Sequence, residues 1–103
     1  MKSRKSLTAS QILTTLKKNH DALKKYKVKK IGLFGSYASG RQTAKSDIDF
    51  LVEFDEPTFD NFMGLCEHLE ELLHHKVDLI TNGNLSPYIQ PLVDKEVKWH
   101  VVG

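Results

Sequence analysis

The sequence predicts a small α/β domain, a mixed β-sheet of about four strands flanked by helices. Three observations predict it. Four short apolar runs, at 28–34, 46–54, 75–81 and 96–102, are bounded by turn or breaker residues, as strands are. Two longer segments, 8–26 and 59–75, repeat apolar residues at three- and four-residue spacing, as helices do. The chain of 103 residues is 40% hydrophobic and 27% charged, the balance expected of one globular unit spanning 1–103.

The elements follow in order. Over 8–26, Ile12, Leu13, Leu16, His20 and Leu23 form one stripe with lysines between them, so residues 1–27 are expected to make a basic N-terminal helix. Ser6, Thr8 and Ser10 are its candidate caps. Val28, Ile31, Leu33 and Phe34 then form a strand that stops at Gly35, where the unit of sheet and helices at 28–101 begins its chemistry. Residues 36–46 are small and polar, a loop that opens with a helical turn. SDIDFLVEF is the second strand, ended by Asp55-Glu56-Pro57. Phe59, Phe62, Met63, Cys66, Leu69 and Leu73 mark the second long helix. HKVDLIT is the third strand, followed by a turn at Asn82-Gly83-Asn84. Pro87 and Pro91 keep any helix in the tail short, and EVKWHVV is the fourth strand. Not every connection contains a helix, so the sheet is mixed rather than wholly parallel.

Composition excludes several classes. No apolar run approaches the length of a membrane span, and the basic start leads into no hydrophobic signal region. A single cysteine, Cys66, leaves no internal disulfide and no cysteine zinc site, and the expected compartment is the cytoplasm. Charge is divided along the chain. Residues 1–30 carry ten Lys and Arg against Asp21 alone, whereas 31–103 carry five against twelve acids. The basic third is expected to be a solvated helix face; with Tyr26 its only aromatic, it lacks the stacking platforms of a single-strand nucleic-acid groove.

The chemistry lies in the carboxylates. Aspartate is depleted in strands, yet Asp47 and Asp49 flank Ile48 where the second strand begins. Residues two apart in a strand share a face, with Cα atoms about 7 Å apart. Asp78 lies inside the apolar third strand, and it joins the other two if those strands are neighbours. Three oxygen donors without His or Cys suit Mg²⁺ or Mn²⁺, which complete their shells with water and substrate phosphates. Gly35 permits close backbone approach, and Ser36 with the following N–H groups can receive an anion. A phosphate cradle beside a carboxylate clamp points to metal-assisted phosphoryl or nucleotidyl transfer.

GSYASGRQTAKSDID, a Gly-Ser, ten residues and Asp-x-Asp, resembles the motif of the polymerase-beta-like nucleotidyltransferases, and the short chain resembles their minimal branch, the MNT proteins. The resemblance covers about 28–101 and implies the nucleotidyltransferase fold. It implies that Gly35 and Ser36 hold the β/γ-phosphates of ATP as co-substrate. It implies that Asp47 and Asp49 bind two Mg²⁺ ions, with Asp78 joining them and helping to activate the incoming hydroxyl. Many relatives carry Arg or Lys where this chain has Ser39; Arg41, or else Lys45, is the candidate phosphate contact in its place.

The chain leaves no room for an acceptor-binding domain, so the acceptor is expected to come on another protein. The resemblance names that partner as an HEPN-domain toxin, with the MNT chain its antitoxin, transferring AMP to a tyrosine hydroxyl of the toxin. Two alternatives stand beside it: an antitoxin acting by occlusion alone, and nucleotidyl transfer to a nucleic acid. Among lesser features, His74 and His75 are expected to be exposed or to complement the helix dipole. Cys66 and Trp99 are expected to pack, and Tyr88 lies in a rigid connector or a protein contact.

Overall fold

The computed structural model describes residues 7–83 and 85–103. Thr8 is the cap of helix α1 (Ala9–Lys18), and Gln11 closes a reciprocal capping box with it. Ser6 lies outside the described residues. The expected single helix over 8–26 is two: α1 ends at Asn19, and α2 (His20–Lys25) follows. The break is local: Asn19 leaves the helical backbone region at φ -110° and ψ 27°, and its amide side chain donates at 2.8 Å to the Thr15 carbonyl that its own backbone N–H also reaches.

Strand β1 (Val28–Phe34) leads directly into the short helix α3 (Gly35–Ser39), so Ser36 lies in the helical turn expected to open the loop. Strand β2 (Ile48–Phe54), helix α4 (Phe59–Leu73) and strand β3 (Val77–Thr81) form a parallel crossover unit. Helix α5 (Gln90–Glu96), with its proline at the first turn, precedes the edge strand β4 (Lys98–Val101). The sheet order is β3-β2-β1-β4, with β1 antiparallel to both β2 and β4. The mixed four-stranded sheet matches the expectation. Gly83 is in a turn with φ +102°, and Asn84 lies outside the described residues.

One face of the sheet carries the core. Ile12 and Leu16 of α1, Leu23 of α2, and Leu65, Leu69 and Leu73 of α4 pack on Ile31, Leu33, Ile48, Phe50, Val52, Val77 and Leu79. Each fully buried side chain of this kind contributes about 1.5–3 kcal/mol. Helix α4 turns its 65-69-73 stripe inward, and residues two and six positions before Leu65 therefore fall on the other side. Phe59 and Met63, expected in the apolar stripe, are exposed for that reason. Cys66 packs at the edge of the core as expected. Among the described residues no helix is long and apolar enough to cross a membrane.

Strand alternation sends Asp49 and Leu51 to the face opposite Ile48, Phe50 and Val52. On that side Trp99 lies across Gly32, its Cα partner on β1, and Lys30 sits over the indole 4.2 Å from its centre. Trp99 is thus a packing residue of the sheet.

Candidate active site

Sheet register determines which carboxylates meet. In the parallel β2–β3 pair, Asp49 and Asp78 are Cα partners, so their side chains leave the same face of adjacent strands. In the antiparallel β1–β2 pair, Phe34 is the partner of Asp49, which places Gly35 at the end of β1 beside that carboxylate. Gly35 has φ +77°, and a β-carbon there would collide with the Asp49 carboxylate. Asp49 therefore stands between the glycine turn on one side and Asp78 on the other. Asp47, one residue before β2, is close enough for its charge to act on both Asp49 and Tyr37.

The crowding has an electrostatic consequence. Asp49 is half-buried while Asp47 and Asp78 are exposed. Burial first, then the charges of Asp78 and Asp47, push the Asp49 carboxyl up to about 6. A divalent cation would offset the repulsive part of that penalty. Among the described residues, no three His, Cys, Asp or Glu side chains close on a single point. That open arrangement still fits Mg²⁺, a hard ion that commonly takes one or two carboxylates and keeps water and phosphate oxygens for the rest.

The glycine turn is closed by its own polar groups. The Ser36 carbonyl accepts from the Arg41 backbone N–H at 2.9 Å and from the Ser39 hydroxyl at 3.2 Å. Arg41 Nε donates to Ser39 Oγ at 3.1 Å, so the guanidinium lies over the C-terminal end of α3 with its side chain exposed. Gly40 caps α3 in the left-handed region at φ +78°. Gly35, Ser36 and Arg41 thus belong to one small loop-and-helix unit. Lys45 is exposed, and its backbone N–H donates to Thr43 Oγ1 at 3.3 Å.

Two further residues belong to this end of the sheet. Tyr37, next to Ser36, is buried, and its phenol is pushed up by burial and then by the Asp47 charge. His75, expected to be exposed, is instead half-buried and hydrogen-bonded to both Tyr37 and the Ser46 carbonyl. His74 does lie exposed, as the left-handed cap of α4 at φ +50°. The sequence offered one signal for Tyr37, a single aromatic in an otherwise small and polar segment. For His75 it offered none, because a helix-end histidine pair looks the same whether one ring turns inward or not.

An apolar groove lined by Phe54, Pro57, Thr58, Phe59 and Phe62 lies at the far ends of β2 and β3, away from the carboxylates. This groove and the carboxylates are thus separate features of the sheet.

Comparison with known proteins agrees with the fold. The family model described as a nucleotidyltransferase domain matches residues 11–100. A Methanocaldococcus jannaschii protein provisionally named a protein adenylyltransferase is 48% identical over 95 residues, covering 87% of this chain and 95% of the relative. A solved structure provisionally described as a minimal nucleotidyltransferase superposes with a TM-score of 0.68 at 31% identity, covering 84% of this chain and 93% of the other. A toxin–antitoxin crystal structure with AMP-PNP superposes with a TM-score of 0.62 at 29% identity, covering 90% and 72%.

Proposed function

The chain belongs to the nucleotidyltransferase-domain family and is a nucleotidyltransferase, and on that premise we propose that it transfers the AMP moiety of ATP to a tyrosine hydroxyl of a protein partner. The partner is an HEPN-domain ribonuclease toxin, and the modification neutralises it. The observation that carries this reading is Asp49 standing between Gly35 and Asp78, three positions on three different elements. The relatives named for protein adenylylation and the toxin–antitoxin structure with a nucleotide analogue support the acceptor class.

The residues divide the work. Gly35, lacking a side chain, lets the triphosphate approach the backbone where Asp49 already stands. The Ser36 hydroxyl and the Arg41 guanidinium bind phosphate oxygens, Arg41 through a charge-assisted contact. Asp49, with Asp47 and Asp78 beside it, would hold Mg²⁺, which would supply charge neutralisation at the triphosphate when bound. Asp78, exposed on the outer strand of the trio, faces the incoming acceptor and receives the tyrosine proton. A bond forms between the tyrosine oxygen and the α-phosphorus, the bond from that phosphorus to the bridging oxygen breaks, and pyrophosphate leaves with the electron pair. The attached phosphodiester then adds a negative charge and bulk to the toxin.

The test is incubation of the protein with ATP labelled at the α-phosphate, Mg²⁺ and the partner toxin. Label passes to the toxin with the wild type and not with Asp47→Asn. Full neutralisation by that variant, with no label transferred by the wild type, would replace this reading with binding by occlusion.

A further inference from the structure

We propose that His75 is a positioning residue that locks the Asp47 segment into the site by tying three site-bearing elements to one imidazole. The inference rests on the nucleotidyl-transfer reading above and adds to it a residue outside the motif.

His75 Nε2 is in hydrogen-bond contact with the Ser46 carbonyl and lies 3.3 Å from the Tyr37 hydroxyl, with the two rings edge to face at 5.6 Å between centroids. The chemistry of these groups fixes the proton. A carbonyl oxygen only accepts, so Nε2 must carry the hydrogen. The Tyr37 hydroxyl cannot donate to a protonated ring nitrogen, so at 3.3 Å it can only share that hydrogen as a second, weaker acceptor. Tyr37 comes from α3 beside Ser36, Ser46 immediately precedes Asp47, and His75 stands three residues before Asp78.

Asp47 precedes β2 and so lacks the strand pairing that holds Asp49. What holds it is a bracket. On its N-terminal side the Ser46 carbonyl receives the His75 ring N–H; on its C-terminal side the Ile48 backbone N–H donates to the Lys76 carbonyl at 3.0 Å. Both peptides flanking Asp47 are thus fastened to consecutive residues of the α4–β3 connection. That connection is itself held, since the Val77 N–H donates to Glu70 Oε2 at 3.1 Å. Removing the His75 donor leaves the half-buried Ser46 carbonyl without it and frees one side of the bracket. The backbone bond from Ile48 keeps the strand register, so the fold survives while Asp47 loses its fixed direction.

The experiment measures Mn²⁺ affinity of the free protein by electron paramagnetic resonance, together with melting temperature and the kcat and KM of AMP transfer. Three variants are compared: His75→Leu without a donor, His75→Gln with an amide N–H of similar reach, and His75→Asn with one too short to reach. His75→Leu should bind Mn²⁺ about 10–100-fold more weakly, the effect typical of losing an outer-shell partner. Its kcat should fall by a similar factor, with KM for ATP changed less than about threefold, while His75→Gln restores most of both. His75→Asn gives the same comparison if the leucine variant does not fold. Folded His75→Leu with wild-type Mn²⁺ affinity, or His75→Gln as defective as His75→Leu, overturns the proposal. Absence of AMP transfer by the wild type would overturn the nucleotidyl-transfer reading instead, and the Mn²⁺ arm would still test the bracket.

Discussion

Gly35→Ala and Gly40→Ala separate two consequences of a left-handed glycine. The two positions share nearly the same backbone, φ +77° and +78°, at opposite ends of α3. An L-residue in that region costs about 1–2 kcal/mol, so both variants lose that much. Only at Gly35 does the new β-carbon meet something: the Asp49 carboxylate, with Asp49 Cβ itself 3.3 Å away. Rotation of the carboxylate tip does not clear a contact that includes Cβ. Moving Asp49 off its rotamer adds about 0.5–1.5 kcal/mol. Gly40 has nothing within 4 Å. For a domain of this size, 1 kcal/mol lowers Tm by about 4–8 °C. Gly40→Ala should therefore melt about 5–15 °C below the wild type and Gly35→Ala about 10–20 °C below it. The decisive difference lies in activity. A displacement near 1 Å at the reacting centre costs about 100-fold, so kcat/KM for AMP transfer should fall by that order in Gly35→Ala and by less than threefold in Gly40→Ala. Both are measured at a temperature where circular dichroism shows each variant folded. Equal activity in the two variants would refute the argument that Asp49 needs the empty space over Gly35.

Three other outcomes follow from the same geometry. Asp49 ionises near 3.8 in the unfolded chain and near 6 in the fold, so its contribution to stability is full below pH 4 and is lost as pH rises through 6; for this half-buried group, after solvent screening, the loss is on the order of 1–2 kcal/mol. Melting of the metal-free protein from pH 4 to 7 should show that component, absent in Asp49→Asn and offset by Mg²⁺ at pH 7 but not at pH 4. Arg41→Ala should raise KM for ATP about tenfold, the loss of roughly one charge-assisted phosphate contact, and steady-state kinetics at varied ATP checks it. Gly64→Ala would set a β-carbon 2.7 Å from the Tyr26 ring, forcing α4 and the end of α2 apart; a urea titration should show about 1–3 kcal/mol of destabilisation with AMP transfer otherwise unchanged.

The parts of the candidate site that depend on local pattern are legible in the sequence. Asp47, Ile48 and Asp49 announce a strand with opposed faces, and Gly35 announces a backbone turn, because period-two alternation and glycine permissiveness act over a few residues. Neighbouring of β2 and β3 could only be a condition, since strand order depends on which helix faces bury together. The break at Asn19 was missed because a side chain that bonds back to Thr15 leaves the hydrophobic spacing on both sides intact. The inward turn of His75 was missed for a related reason. Whether a ring at a helix end finds a carbonyl depends on Ser46, 29 residues away, and no local rule couples the two.

The core and the site are linked through register. Three like charges gathered at one end of a sheet would separate if the strands could slide, and their repulsion adds to burial in raising the Asp49 carboxyl. A slip of β3 by one residue would turn Asp78 inward and bring Val77 and Leu79 out to solvent. Those two side chains are buried against Ile48, Phe50 and Val52, and exposing them costs about 1.5–3 kcal/mol each. That exceeds the penalty on Asp49, on the order of 1–2 kcal/mol after screening. The alternation that buries Ile48 and Phe50 on one face is thus what compels Asp49 and Asp78 to remain abreast on the other. Moving the strands cannot relieve the repulsion, whereas a proton on Asp49 or a bound cation would.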